Sequence, residues 1–455
     1  MRERIVTALR DSKADYTEIR LERREATRVI YRGPHLETAD ALTDVGGIVR
    51  ALCYDGGWGV ATFNDLADLP RRVDEATRCA KAVHGEPIEL APVPVAQAHV
   101  TVPLPAANDF RGISLAEKRD LAARYNDIIL KHDTRIQDTR VAYSDSFARL
   151  TYANSQGAYI EEERPMVTVF LLTVAREDND VQQAAEVWSR PAGFEVALDL
   201  EGKAISVAQR AVDLLSARPV EGGRYTVVLD PRLAGVFAHE AFGHLSEADF
   251  VYANPRAQEM MVLGRRFGPA VLTIADDGSI PGQRGTHPYD DEGTPTGRTD
   301  LIKDGVLVGR LHSRETAARM GEQPTGNARA TGYRYPPIVR MTNTFIEADE
   351  TSFQDMIRDV DHGIYACDAF GGQTALENFS FSAGYAFMIR KGEIAEMVRD
   401  VILSGNLFAT LANIDAVGDD FEWLGGGNCG KGQGGLPVSI GAPHIRIRDV
   451  LIGGQ

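Results

Sequence analysis

Four cysteines in 455 residues, Cys53, Cys79, Cys367 and Cys429, lie far apart and never at CxxC spacing. That scarcity argues against a disulfide framework and points to a reduced, cytoplasmic chain. Positive charge is also in short supply. The 49 Lys and Arg face 65 Asp and Glu, for a formal net charge of −16, which disfavours a broad electrostatic grip on nucleic acid or on an anionic membrane. No run approaches the ~20 apolar residues of a spanning helix. The amino terminus, MRERIVTALRDSKADYTEIRLERR, carries charges where a signal peptide needs its apolar segment. Direct nucleic-acid contact and membrane insertion are therefore both unexpected. The remaining composition, 44% hydrophobic and 25% charged, is that of a globular protein with room for two or three cores.

The pattern along the chain is α+β: a smaller N-terminal α/β part, a central α+β segment, and a β-rich C-terminal domain. Residues 1–85 open with a short helix and turn strand-like, TEIRLERRE alternating and IVRALCYDGGWGVATF reading as two strands about Asp55-Gly56-Gly57. A helix follows from about Asp68, a plausible N-cap, with Val73, Ala76, Ala80 and Val83 on one face. Cys53 and Cys79 read as core. Residues 86–105 hold five prolines and form the best linker in the chain. In residues 106–217, Ser114 and Glu117 make a capping box before a helix to about Lys131, strands follow, and a helix spans about 196–216. Residues 218–455 are rich in glycine and short β-like segments.

The most informative stretch is RYTVVLDPRLAGVFAHEAFGHLSEADF. A buried strand leads through Asp230, suited to an N-cap, and Pro231, suited to a first turn, into a helix carrying His239, Glu240 and His244. Two imidazoles and an adjacent carboxylate are what hydrolytic zinc chemistry uses, the first to hold the ion and the second to take a proton from its water. The histidines are five apart rather than the four of HExxH, about 140° around a regular helix. They share an ion only if the helix widens between them; Gly243 lies where that deformation is cheap, and a π-type bulge is one solution. By itself such a pair more often marks one core and one surface histidine. A third ligand is required, and Cys429 in NCGKGQGGLPVSIGAP is the leading candidate. Glycines flank it and Lys431 follows, suited to favouring the thiolate. Its alternative is a buried structural cysteine in a tight turn.

The ordered set HEAFGHLSEADF, DDEGTPTGR, PTGNARA, RMTNTFI, HGIYA, GGQ, VGDDFEW and CGKGQGGLPVSIGAP resembles the TldD/PmbA metalloproteases, sometimes described as modulators of DNA gyrase. Retention of His239, Glu240, His244 and Cys429 resembles the TldD-type catalytic member, since the PmbA (TldE) branch lacks the HExxxH set. The resemblance implies a zinc peptidase with Zn2+ on His239, His244 and Cys429 in the C-terminal domain and Glu240 as general base. It also implies unfolded or short peptides as substrate, held extended in an enclosed cavity, and a partner that is a second like subunit or a PmbA/TldE-type paralogue. Phe370-Gly371-Gly372-Gln373 is suited to pairing with a peptide as an added strand, although its glycine run is shorter than in some relatives. Glu247 or Asp249 can orient a ligand imidazole or simply face solvent. Asp290, Asp291 and Glu292 fit either a cavity loop or a solvated turn. His287, His312, His362 and His444 lack metal spacing. The rival readings are a non-catalytic peptide-binding or assembly subunit, against which Glu240 argues, and a direct contact with gyrase or DNA, against which the charge argues.

Overall fold

The computed structural model describes residues 1–453 and is α+β with strands prevailing. Seven strands form the N-terminal sheet. In order across it lie Trp58–Phe63, His35–Leu52, Tyr16–Arg32, Ile136–Asn154 and Tyr159–Glu177, and the last pairs with both Gln97–Val100 and Asp180–Arg190. All pairings are antiparallel except that of Gln97–Val100. The segments on either side of the proline-rich stretch thus share one sheet, joined where Glu18 faces Asn154 and Arg32 faces Arg140. The proline-rich stretch is itself anchored, by the short parallel strand and by a bond from Ala91 N–H to the Arg314 carbonyl.

Helices Arg2–Asp11 and Leu69–Ala82 pack Ile5, Leu9, Val73 and Ala76 against Val49 and Ala51. Helices Leu115–Leu130 and Glu201–Ser216 bury Leu121, Tyr125, Val207 and Ala211 against Val141, Val169 and Leu171. The Ser114–Glu117 capping box forms as expected. Helix Leu69–Ala82 starts where expected, with Asp68 at its N-cap position, but Asp68 has helical torsions and its side chain makes no cap bond. The capping carboxylate is that of Asp65, accepting from Ala67 N–H ahead of a 3₁₀ turn. The helix expected from about 196 instead begins at Glu201, because Asp199 adopts a left-handed φ of 58°. Cys53 is buried, but Cys79 is exposed, falling off the Val73–Ala76–Ala80 stripe.

The C-terminal region has two large β assemblies and a two-stranded pair, Ala328–Arg329 with Ile338–Val339. In the first assembly, Gly223–Leu229, His362–Ala375, Asn378–Arg390, Ile402–Asn406 and Ile445–Gly453 pair in a closed ring, with three further strands attached. The second is a six-stranded sheet ending in Asn343–Ile346, Gly435–Ala442 and, at its edge, Glu422–Gly430. Helix Pro231–Ala238 lies between them. Phe237 packs edge-on to Phe379 and Phe381 of the ring, and Gly235 approaches Ile440 of the sheet. Phe370–Gln373 has one edge taken by Asn378–Arg390, through Gly371↔Ser382 and Gly372↔Phe381. Among the described residues no helix is long and apolar enough to cross a membrane.

A buried ionic network docks the N-terminal sheet onto the C-terminal region. Arg20 pairs with Asp291 at 2.9 Å, Arg164 with Asp291 at 3.3 Å and Glu162 at 2.7 Å, and Arg50 with Glu18 at 2.6 Å and Glu292 at 3.1 Å. Asp290, Asp291 and Glu292 therefore form no solvated turn; all three are buried. Burial would raise the Asp291 carboxyl, but Arg20 and Arg164 hold it well below the usual carboxylate range. Asp291→Ala leaves the buried guanidinium of Arg20 and the partly buried one of Arg164 without that partner, and denaturant unfolding should show a loss of about 3–5 kcal/mol. The sign with pH follows from the depressed value. The Asp291 contribution is present above its unfolded pKa of about 3.9 and disappears as pH falls through the folded value. Asp291→Asn should thus flatten the acid side of the stability profile; an unchanged profile would remove Asp291 from the docking energetics.

Candidate metal centre

Strand Gly223–Leu229 delivers the chain to Asp230, whose carboxylate accepts from Leu233 N–H at 2.7 Å and from Asp368 N–H at 2.9 Å. Pro231 occupies the first turn of the helix that follows. Regular α-helix runs only to Ala238. From His239 to Gly243 the backbone widens into a π turn, closed by a bond from His244 N–H to the His239 carbonyl. The extra residue per turn places both histidines on one side, their ring centroids 5.2 Å apart and nearly perpendicular. Gly243 is needed for close approach rather than for unusual torsion. A Cβ there would lie 2.1 Å from Met341 Sδ.

Cys429 reaches the same point from the edge strand Glu422–Gly430, opposite Leu436. Its Sγ is 3.4 Å from His244 Nε2, and the donor atoms of His239, His244 and Cys429 all lie within 4.8 Å of one another. His239 and Cys429 are each 3% exposed. Glu240 stands beside the group, one-third exposed, its Oε2 3.9 Å from His244 Nε2. Among the described residues this is the one cluster of three such donors. His287 faces Glu162, His312 faces Glu322, His444 faces Asp420 and Tyr365, and His362 faces Arg390.

Two imidazoles and a thiol suit a zinc ion with a fourth position open, and three observations test that fit. His239 Nδ1 is buried without a hydrogen-bond partner. His244 Nδ1 is engaged by Glu247 Oε2 at 3.0 Å, which leaves Nε2 as the atom facing Cys429. Charge also favours a cation. Burial would raise the Cys429 thiol, but the imidazoles of His239 and His244 bring it down to about 5. Burial would lower the His244 imidazole, but Cys429 and Glu247 raise it to about 10. The pocket thus stabilises a thiolate and a positive charge beside it, and a metal ion competes with the proton for that place.

Glu247 is 1% exposed and ties His244 to Lys431 Nζ, 3.1 Å away. Burial raises its carboxyl, while His244 and Lys431 lower it, with a net downward shift. Lys431 also donates to Asp249 at 2.6 Å and to the Val339 carbonyl at 3.0 Å. Its charge is therefore spent on Glu247 and Asp249 rather than on the thiolate, as its position two residues after Cys429 had suggested. Sequence reasoning missed Arg340, fully buried, whose guanidinium donates to the Cys429 carbonyl. It lies in the RMTNTFI motif, but nothing in one sequence signals that contact.

Three family models match the chain: the PmbA/TldA metallopeptidase domain 1 over residues 17–84, its central domain over 108–218 and its C-terminal domain over 222–454. Among curated relatives, a metalloprotease of Synechocystis sp. is 47% identical, covering 98% of this chain and 96% of its own length. A metalloprotease of Methanothermobacter thermautotrophicus is 35% identical with the same coverages. A zinc metalloprotease TldD homolog of Saccharolobus solfataricus is 28% identical over 97% of each. The fold is similar to TldE from Thermococcus kodakarensis, with TM-score 0.78, 19% identity and coverage of 99% and 100%. A Thermotoga maritima protein solved as a candidate modulator of a DNA gyrase gives TM-score 0.80, 21% identity and coverage of 99% of each chain.

The Glu247–His244 contact generates a test. Glu247→Ala frees the ring of His244 and leaves Lys431 with one carboxylate fewer, so metal affinity measured against a competing chelator should fall roughly 10–100-fold. Unchanged affinity would show that His244 is oriented without Glu247.

Proposed function

The chain belongs to the PmbA/TldD family of metallopeptidases, and we propose that it is a zinc peptidase of unfolded or short peptides, with His239, His244 and Cys429 as ligands and Glu240 as general base. The observation that carries the reading is the meeting of those three donors within 4.8 Å, with the Glu240 carboxylate at their margin. The name of the Saccharolobus solfataricus relative supports zinc, as does a donor set of one thiolate and two imidazoles.

His239, His244 and Cys429 would hold the zinc ion, and the chemistry it would supply there is Lewis-acid polarisation of the scissile carbonyl and of the attacking water. The residues of the chain do the remainder. His239, His244 and Cys429 hold the site in shape, with Glu247 fixing the ring of His244. Glu240 accepts the proton of the attacking water and later delivers it to the leaving amine. A non-catalytic assembly subunit needs no such carboxylate. The depth of His239 and Cys429 supports a preference for unfolded chains, since a folded domain cannot bring its backbone to them. The fold shared with TldE is consistent with pairing to a second copy or to a paralogue of the same architecture. A free thiol as ligand favours the reduced cytoplasm.

Glu240→Gln should retain metal and fold yet lose about 10²–10⁴-fold in peptide cleavage. His239→Ala, His244→Ala and Cys429→Ala should each lose most metal while remaining folded, because separate hydrophobic cores sustain the chain. Wild-type turnover in Glu240→Gln, or full metal occupancy in Cys429→Ala, would overturn the corresponding assignment. Substrate state is checked with one protein in two forms. The reduced, unfolded form should be cut and the disulfide-locked folded form should survive; equal rates would refute the preference for unfolded chains.

A further inference from the structure

The edge strand Glu422–Gly430 has two faces, and the metal group uses one. Side chains alternate along a strand, so Asn428 leaves on the face opposite Cys429. There it lines a cavity of about 170 Å³ between this sheet and the N-terminal sheet. The charged lining is unequal: Arg20, Arg24, Arg164, Arg284 and Arg329 against Glu22 and Asp291. Both carboxylates are already engaged, Glu22 by Arg24 and Asp291 by Arg20 and Arg164.

Arg284 and Arg329 are 4% and 3% exposed, and their partners are neutral. Arg284 donates to the Gly427 carbonyl and to Asn428 Oδ1; Arg329 donates to the carbonyls of Met341 and Pro437 and approaches His287 Nε2. The Nε of Arg284 is buried with no partner. Among the described residues neither guanidinium has a carboxylate in salt-bridge contact. His287 adds no further positive charge, since burial and Arg164 push its imidazole down to about 4 and keep it neutral. Burial and neighbouring Arg329 likewise push the Arg284 guanidinium down to about 10. Burial costs both guanidiniums; Asp291 and Asp276 attract that of Arg329 from beyond contact distance and offset part of the cost, whereas Arg284 feels only burial and Arg329, and a planar fork of N–H donors fits an oxyanion best.

We infer that this cavity is an oxyanion site, holding one carboxylate or inorganic phosphate group between Arg284 and Arg329. Its volume of about 170 Å³ suits one small oxyanion group. A second cavity of about 410 Å³ shares Glu22, Arg24, Ser146, Met166 and Thr331 with it and forms the approach. The site also bears on the metal centre. Arg284 holds Gly427 and Asn428, and Arg340 holds the Cys429 carbonyl, so an anion drawing on Arg284 acts on the strand that carries Cys429. One source of the group is the substrate peptide's own C-terminal carboxylate, which rests on the peptidase reading; the other is a free anion, which does not.

The test is thermal unfolding of the full chain, zinc-loaded and chelator-stripped, against low-millimolar inorganic phosphate at fixed ionic strength. The expected result is a saturable rise of about 2–4 °C in both states, absent in Arg284→Gln and retained in Arg78→Gln, an exposed control. If Arg284→Gln does not fold, Arg284→Lys keeps the charge without the fork and should bind at least about tenfold more weakly. A peptide substrate with its C-terminus amidated separates the sources. A KM raised about tenfold with kcat unchanged identifies the peptide carboxylate, and an unchanged KM identifies the free anion. No saturable shift in wild type, or an equal shift in Arg284→Gln, overturns the site. Failure of the chain to cleave any peptide would remove the peptidase reading and leave the phosphate result standing.

Discussion

The backbone hydrogen bond from His244 N–H to the His239 carbonyl is the constraint around which the metal centre is arranged. In a regular helix the same N–H would bond to Glu240, and the two imidazoles would diverge. The wider turn is held from both ends. Asp230 caps the helix before it and is itself held to the ring strand by Asp368 N–H. Met341 fills the space against Gly243 that any Cβ would occupy. The strand bearing Cys429 then needs only to present one side chain to a site already formed.

Charge is distributed by sheet face. On one face of the edge strand, a thiolate, two imidazoles and the Glu247 carboxylate gather around a place for a cation, with Lys431 balancing the acidic residues behind it. On the other face gather Arg284 and Arg329, neither with a carboxylate in salt-bridge contact among the described residues. Arg340 bridges the two by holding the Cys429 carbonyl. Both sides bear on one strand, since Arg284 holds Gly427 and Asn428 directly before Cys429.

Local chemistry carried much of the reading. The Asp230–Pro231 helix start, the Ser114–Glu117 box and the need for a widened turn in HEAFGH were all legible, because each depends on residues within a few positions of one another. Where local rules competed, the reading slipped. Asp68 takes the N-cap position but, with helical torsions of its own, leaves the side-chain cap to Asp65, and Asp199 shortens a helix by taking a left-handed turn. The acidic run Asp290–Glu292 looked the same whether solvated or buried, and only its arginine partners, some 130 to 270 residues away in sequence, made it buried.

The sequence by itself determined the α+β class, the helix carrying His239, Glu240 and His244, and the candidacy of Cys429, since those follow from residue type, periodicity and capping. Tertiary structure alone decided that Cys429 stands 3.4 Å from His244, that Lys431 serves Glu247 rather than the thiolate, and that Arg284 and Arg329, with no carboxylate in salt-bridge contact among the described residues, line the reverse face. The physical reason is separation along the chain. Cys429 lies 185 residues beyond His244, and contacts of that kind are set by how sheets stack and which strand forms an edge, a property of the whole fold that no short window of residues encodes.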